Sequence, residues 1–235
     1  MSVTRALHRN SVFFFLLVPV FAVWGFWPTY FQGVIRPITA IDHAHGIAMF
    51  GWCAMLIVQA WLIRSSRRSA HRATGKLSYA LVPVIAVSTL MLANQQINAR
   101  GLTFEGLYVL MLQMSILPQF LIFYALAIKN RQRSDVHARW MVCTALPLID
   151  PIFARIFIFN VLGPENAAAA QYLTYALTDL IAIALVIWDW RREQRRDVFL
   201  PALTVLIVLQ LPTFTLVGSA GWAAFSGWFL GLPIS

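Results

Sequence analysis

The sequence contains few charged residues. Only 11% of its 235 residues are Asp, Glu, Lys or Arg, whereas 60% are hydrophobic. Soluble domains carry about 25% charged residues and about half apolar ones. The composition therefore excludes an ordinary soluble domain and predicts an integral membrane protein.

Lysine and cysteine are scarce as well. The two lysines, Lys76 and Lys129, lie between apolar runs, so the last run has no lysine that could form a retinal Schiff base. The two cysteines, Cys53 and Cys143, lie inside apolar runs without metal-site spacing, and both are predicted to be reduced, packed side chains. Nucleotide-binding and nucleophile-elbow motifs are also missing from the sequence.

The apolar residues fall into seven runs, each long enough to cross a bilayer, which takes about 20 residues. The runs are residues 11–33, 43–64, 77–96, 104–128, 140–160, 168–189 and 198–218. They predict an all-α, polytopic bundle of seven transmembrane helices that forms one domain over residues 1–235. The segment 219–235 is too short for another span, and its aromatic residues predict that it lies along the membrane interface.

Basic residues are concentrated in alternate linkers. Of the 18 Lys and Arg residues, 15 fall in the N-terminal segment and in the linkers around residues 64–76, 129–139 and 191–196. The other three are Arg36, Arg100 and Arg155. By the positive-inside rule, the N-terminus is predicted to be cytoplasmic and the C-terminus outside. Because the clusters are short and separated by apolar runs, they indicate contact with a lipid bilayer rather than with nucleic acid.

Two histidines occupy matching positions at helix starts on the basic side. His71 in "RSSRRSAHRATGK" precedes the third span, and His137 in "NRQRSDVHARW" precedes the fifth. If spans two to five form an up-down bundle, the two histidines face each other at one depth. One interpretation is that they bind lipid phosphates or cap helix ends, as basic clusters at cytoplasmic ends do. The alternative is that the two imidazoles ligate one haem b.

Three segments resemble the repeated signature of a bacterial membrane family, domain of unknown function 2306. They are "HGIAMFGWCAMLIVQAWLIR", "AHRATGKLSYAL" and "DVHARWM", and the resemblance covers about residues 43–158. It implies a multi-pass protein of the bacterial inner membrane but no established reaction. The signature positions that it carries over are His45, His71, Arg72, His137 and Trp140.

The resemblance is incomplete at two positions. Cys143 and Ala145 stand where arginine and tyrosine are frequent in the family, so no activity that rests on those residues is implied. The stretch from His45 to His71 is also similar to ascorbate-reducible b-type cytochromes. Those proteins have a histidine in the helix that corresponds to span four, where this sequence has none, and their two-haem arrangement is therefore not expected.

Polar and charged residues collect in the predicted outer half of the bundle. Charged groups within a span normally face the interior and mark a site. By residue count, Asp150 and Asp179 both lie about 15 Å from the outer ends of their helices, which predicts equal depth near the bilayer midplane. The predicted ligand or ion pocket consists of His43, His45, Gln95, Glu105, Asp150, Arg155, Tyr175 and Asp179.

The charges of this pocket do not balance. Arg155 is five residues from Asp150, or about 140° around a helix, so we expect it to pair with Asp179 or Glu165. That pair is explained equally well as a purely structural link between two helices. Two buried carboxylates and one arginine leave one charge unmatched, which predicts that one carboxyl carries a proton or a bound cation.

The same residues include candidate metal ligands. His43 and His45 point about 200° apart on a helix, so they can share an ion with Glu105 only if the second helix begins after His45. The His-x-x-x-His spacing of membrane zinc hydrolases is missing.

The function predicted first is therefore a seven-helix inner-membrane protein whose outward-facing pocket binds or passes a small ligand, ion or proton. One alternative is a haem b electron-transfer protein that uses His71 and His137. Another is an accessory subunit that packs against a larger membrane complex or against a second copy of itself.

Overall fold

The computed structural model describes residues 2–33 and 37–234, and Arg36 lies outside the described residues. Within them the chain is helical and contains no strand, which confirms the all-α prediction. Two π-helical turns, Trp27–Phe31 and Ile158–Leu162, and a 3₁₀ turn, Pro164–Asn166, continue or precede the main helices. The α-helices are α1 (Val3–Phe26), α2 (Ala40–Arg64), α3 (Arg68–Gly75), α4 (Ser78–Arg100), α5 (Phe104–Lys129), α6 (Ser134–Cys143), α7 (Leu146–Phe157), α8 (Ala167–Glu193), α9 (Phe199–Thr215) and α10 (Ala220–Leu230).

The helices have the length and surface of a membrane bundle. Six helical segments are long and apolar enough to cross a membrane, and a seventh is added if α9 and α10 count as one span. These two helices meet at 97°, so the predicted span 198–218 ends at Thr215 and the chain turns there. Phe14, Val20, Ile47 and Leu180 are each 63–72% exposed, and such an apolar surface is compatible with contact with lipid.

Seven helices follow one another around the bundle. Their order of contact is α1, α2, α4, α5, α9, α8, α7 and back to α1, while α6 contacts α1, α5 and α9. At Gly25, an added Cβ would lie 2.5 Å from the carbonyl oxygen of Ile152, so a residue without a side chain allows α1 and α7 to approach this closely. Cys53 and Cys143 are buried and free, as predicted.

The predicted fifth span is broken in its middle. The sequence predicts one helix over 140–160, whereas α6 ends at Cys143 and α7 begins at Leu146. Pro147 has no N–H to donate, and its ring would clash with the carbonyl of Cys143 in a continuous helix. Pro83 and Pro118, in contrast, lie inside single helices.

Contacts between helix ends show which of them lie together at each end of the bundle. At one of them the backbone N–H of Thr4 donates to Glu193 at 3.4 Å, and the basic clusters lie there, so we call it the basic end. At the other, Tyr30 Oη and His43 Nδ1 are 2.6 Å apart, and we call it the opposite end. Which end faces the cytoplasm stays a prediction.

Candidate functional site

Asp150 lies in the interior between α7 and α8. Asp150 is only 5% exposed, and its Oδ1 accepts a hydrogen bond from Gln171 Nε2 at 2.6 Å. Gln171 is 4% exposed and was not among the predicted pocket residues. Because Gln171 is neutral, this contact does not balance the charge of an ionised Asp150.

Arg155 faces α1 rather than α8. Its guanidinium carbon lies 4.3 Å from the centre of the Phe26 ring, and its Nη1 donates to the Pro151 carbonyl at 2.8 Å. Among the described residues it forms no ion pair, and its buried Nε has no hydrogen-bond partner. The predicted pair with Asp179 or Glu165 is therefore wrong. Since Asp150 faces α8, the offset of about 140° turns Arg155 towards the helix on the other side of α7.

Asp179, on α8, lies further from the opposite end of the bundle than Asp150 does on α7. It is partly buried, and its Oδ1 accepts a hydrogen bond from Gln210 Nε2 of α9 at 3.2 Å. It follows Gln171 by eight residues, or about 12 Å along the helix, and Gln171 is level with Asp150. The prediction of equal depth is therefore wrong, because the two helices do not end at one level and residue counts from their ends do not give depth.

Tyr175 lies between Gln171 and Asp179 on the same face of α8. Its hydroxyl is 3.0 Å from Thr213 Oγ1 of α9, and both residues are 5% exposed. Residues four apart on a helix are neighbours on its surface. Gln171, Tyr175 and Asp179 therefore form one row, and each member contacts a neighbouring helix.

The two histidines of α2 lie apart from this row and from each other. His43 is exposed and binds Tyr30, whereas His45 Nδ1 is 3.2 Å from Ser88 Oγ of α4. Helix α2 begins at Ala40, before either histidine. The condition under which both could ligate one ion, a helix that begins after His45, is therefore not met.

Gln95 and Glu105 bind local partners at the opposite end. The Gln95 amide hydrogen-bonds Thr39, the residue that caps α2, at 3.1 Å. Glu105 is paired with Arg100 at 3.0 Å, and its side chain is 73% exposed. Over residues 2–33 and 37–234, no group of three or more His, Cys, Asp or Glu is placed to hold a metal ion. The eight predicted residues thus do not form one pocket.

The structure brings His71 and His137 together at the basic end. Their ring centres are 6.3 Å apart and the rings are inclined at 80°. His137 Nδ1 lies 2.9 Å from the Ala127 carbonyl, and the Gln59 amide, in the orientation that satisfies both its ends, donates to His71 Nδ1 at 2.5 Å. An imidazole that donates from Nδ1, as His137 does to Ala127, can ligate a metal through Nε2. An imidazole that accepts at Nδ1, as His71 does from Gln59, carries its proton on Nε2 and cannot ligate through it.

A buried ion network at the basic end was missed in the sequence. Arg139 and Asp189 are 0% and 1% exposed, and Arg139 Nη2 lies 2.7 Å from both Asp189 and Glu193. Arg139 Nη1 also donates to Thr4 Oγ1 at 2.9 Å. The network therefore joins α6 to α8 and α1. The sequence did contain a signal for this network, because Asp189 and Glu193, two of only nine acidic residues, lie four residues apart at the end of α8.

A second, exposed pair lies in the loop after α8. Arg195 Nη2 and Asp197 Oδ2 are 2.6 Å apart, and the Arg195 guanidinium holds the pKa of Asp197 below its usual range. Their side chains are 21% and 44% exposed. Such surface pairs contribute about 0–1 kcal/mol.

No family model, curated protein or solved structure matches this chain. The resemblance to domain of unknown function 2306 therefore stays a prediction.

The interior around Asp150 is chemically unlike the rest of the bundle. Tyr108 of α5 and Tyr175 of α8 both lie within electrostatic range of the Asp150 carboxyl, as does Arg155. A buried carboxyl whose hydrogen-bond partner is a neutral amide can take up and release a proton or bind a small polar partner. Intramembrane ionisable residues commonly serve such roles.

Proposed function

We propose that the protein is a seven-helix bacterial inner-membrane protein whose polar interior binds or passes a small ligand, ion or proton. Its basic end lies in the cytoplasm together with the N-terminus, and the C-terminus lies outside, in agreement with the positive-inside rule. The polar interior is reached from the opposite, outward-facing end.

The single observation that supports this function most is the environment of Asp150. It is a buried acidic residue within a span, its hydrogen-bond partner is the neutral Gln171, and Arg155 makes no ion pair with it. A purely structural carboxyl at such a position is usually paired with a cation, since burying an unpaired charge is costly. The lack of such a pair favours a carboxyl that exchanges a proton or binds a polar partner.

Flux through proteoliposomes tests this proposal. We expect vesicles with the wild-type protein to dissipate an imposed gradient of H⁺, Na⁺ or K⁺ faster than protein-free vesicles, and Asp150→Asn to abolish the difference. Glu165→Gln is the matched control, because Glu165 is an exposed acid near the opposite end whose Oε1 accepts a hydrogen bond from Asn166 Nδ2 at 3.2 Å. Equal fluxes for wild type and Asp150→Asn with all three cations would remove the passage of ions and protons from the proposal.

A second candidate is a haem b protein, and the contact between His71 and His137 supports it. Haem supplies one-electron transfer when bound. His137 would hold it through Nε2 while its Nδ1 donates to the Ala127 carbonyl, and His71 would do so only with the Gln59 oxygen, rather than the Gln59 nitrogen, at its Nδ1. Protein purified from haem-supplied cells should then show a Soret band. His71→Ala and His137→Ala should each remove the bis-histidine spectrum, and the exposed His43→Ala should not. A colourless wild-type protein would refute this candidate.

A further inference from the structure

The row on α8 links three levels of the interior. At its first level Gln171 binds Asp150 of α7, at its second Tyr175 binds Thr213 of α9, and at its third Asp179 is bound by Gln210 of α9. Each level is one helical turn from the next, about 6 Å. The row therefore leads from a buried carboxyl, past a buried hydroxyl, to a second carboxyl near the middle of α8.

Helix α5 adds polar groups beside the second level. Ser115 and Gln119 are each 3% exposed, and Gln119 Nε2 donates to Ser115 Oγ at 3.2 Å. Ser115 hydrogen-bonds the Leu209 carbonyl at 2.5 Å and also interacts with the hydroxyl of Tyr175. Tyr175 is thus surrounded by hydroxyl groups from two other helices.

The row ends at Asp179. The next nine residues of α8, "LIAIALVIW", contain no charged or hydrogen-bonding group except the Trp188 indole. Within this stretch Ala182 packs in an apolar cluster with Phe123, Cys143 and Leu206. The buried ion network of Asp189 lies beyond that cluster. An apolar layer therefore separates the polar row from the basic end.

We propose that this row is a proton path in which Tyr175 relays protons between Asp150 and Asp179, and that the apolar layer closes the path towards the basic end. The inference rests on the proposed function and specifies its cargo. A hydroxyl can donate one hydrogen bond while it accepts another. Tyr175 can therefore hand on a proton with its own protonation state unchanged afterwards. Its hydroxyl contacts Thr213 and Ser115 rather than either carboxyl, so each step of about 6 Å along the row needs one water molecule between the groups.

The arrangement favours a proton over a metal ion. Hard cations require about six oxygen ligands around one point, whereas the first and third levels of the row each present one carboxyl and one amide side chain. The titratable and charged groups within electrostatic range of Asp150 are Tyr108, Tyr175 and Arg155, and Arg155 is turned towards Phe26 of α1. At Asp179 the facing polar group is the neutral amide of Gln210.

Infrared spectroscopy after a rapid pH change tests the relay in nanodiscs. The carboxyl C=O bands of Asp150 and Asp179 are assigned by their loss in Asp150→Asn and Asp179→Asn. We expect Tyr175→Phe to slow the protonation change of Asp179 by about 100-fold, the lower end of what a positioned proton-transfer group contributes. The matched control is Tyr172→Phe on the same helix, because Tyr172 is 58% exposed and stacks on Phe214.

A second pair of variants guards against a folding defect in Tyr175→Phe. Thr213→Val removes the partner of the Tyr175 hydroxyl and should also slow the change, whereas Thr213→Ser keeps it and should behave as wild type. An Asp179 band that does not respond to pH, or that responds at the wild-type rate in both Tyr175→Phe and Thr213→Val, would overturn the relay. If the Asp150-dependent flux of Na⁺ or K⁺ persists in that case, the proposed function stands and only the proton path is wrong.

Discussion

Replacement of Arg139 by methionine tests the energetic role of the buried network at the basic end. Arg139 donates three hydrogen bonds to Asp189, and the two side chains are 0% and 2% exposed. Without the guanidinium, Asp189 would be a buried charge with no cation beside it. Removing one member of a buried ion pair costs about 3–5 kcal/mol. Glu193 should add little to this loss, because its side chain is 19% exposed and can reach water.

The loss can be followed by unfolding in mixed micelles with increasing sodium dodecyl sulfate. Cys143 is 0% exposed and packs in the apolar cluster beside α6 and α8, so its reaction with a thiol dye reports unfolding. Arg195→Met is the control, since its partners are partly exposed and its loss should be no more than about 1 kcal/mol. The double variant Arg139→Met with Asp189→Leu should be more stable than the sum of the two single losses predicts.

Two results would contradict this reasoning. The first is a loss in Arg139→Met no larger than that in Arg195→Met. The second is strict additivity in the double variant, because it would mean that the charge left on Asp189 has no energetic effect.

Further predictions concern helix packing and topology. Gly25→Ala should destabilise the protein by about 1–3 kcal/mol, because the new methyl group would meet the backbone oxygen of Ile152. Gly51→Ala should be nearly neutral, since its Cβ would lie 3.5 Å from the Leu81 side chain, an ordinary contact; equal losses would show that α1 and α7 can separate freely. Reporter fusions at Ser69 and Glu165 should report opposite compartments, and the same compartment at both would contradict the seven-span arrangement.

Much of the fold could be predicted because it depends on the lengths of apolar runs. The matching contexts of His71 and His137 likewise predicted that they lie together, since both residues start a helix at the same end. Helix boundaries were less predictable where a local effect decided them. The break before Leu146 depends on the backbone clash at Pro147, and the start of α2 depends on the capping of its first turn by Thr39.

The partners of the charged residues could not be predicted in the same way. A sequence gives the angle between Asp150 and Arg155 but not which neighbouring helix lies on each side of α7. Arg139 resembled every other arginine of the basic linkers, although its side chain is fully buried. Gln171 could have been found, because it precedes Tyr175 by four residues and Asp179 by eight. An amide in that register on one helix face is a usable signal.

The charged residues of the broken fifth span bear on how the chain enters the membrane during synthesis. Arg139, Asp150 and Arg155 all lie on α6 and α7, whereas Gln171 and Asp189 are made 21 and 50 residues after the partners they bind. A charged residue at a span centre costs about 2.5–3.5 kcal/mol on insertion scales. We therefore expect the fifth span, formed by α6 and α7, to remain beside the insertion machinery until α8 emerges. The fifth span and α8 should then enter the bilayer as a pair. Truncation before α8 should leave the fifth span poorly inserted, although its own sequence is unchanged.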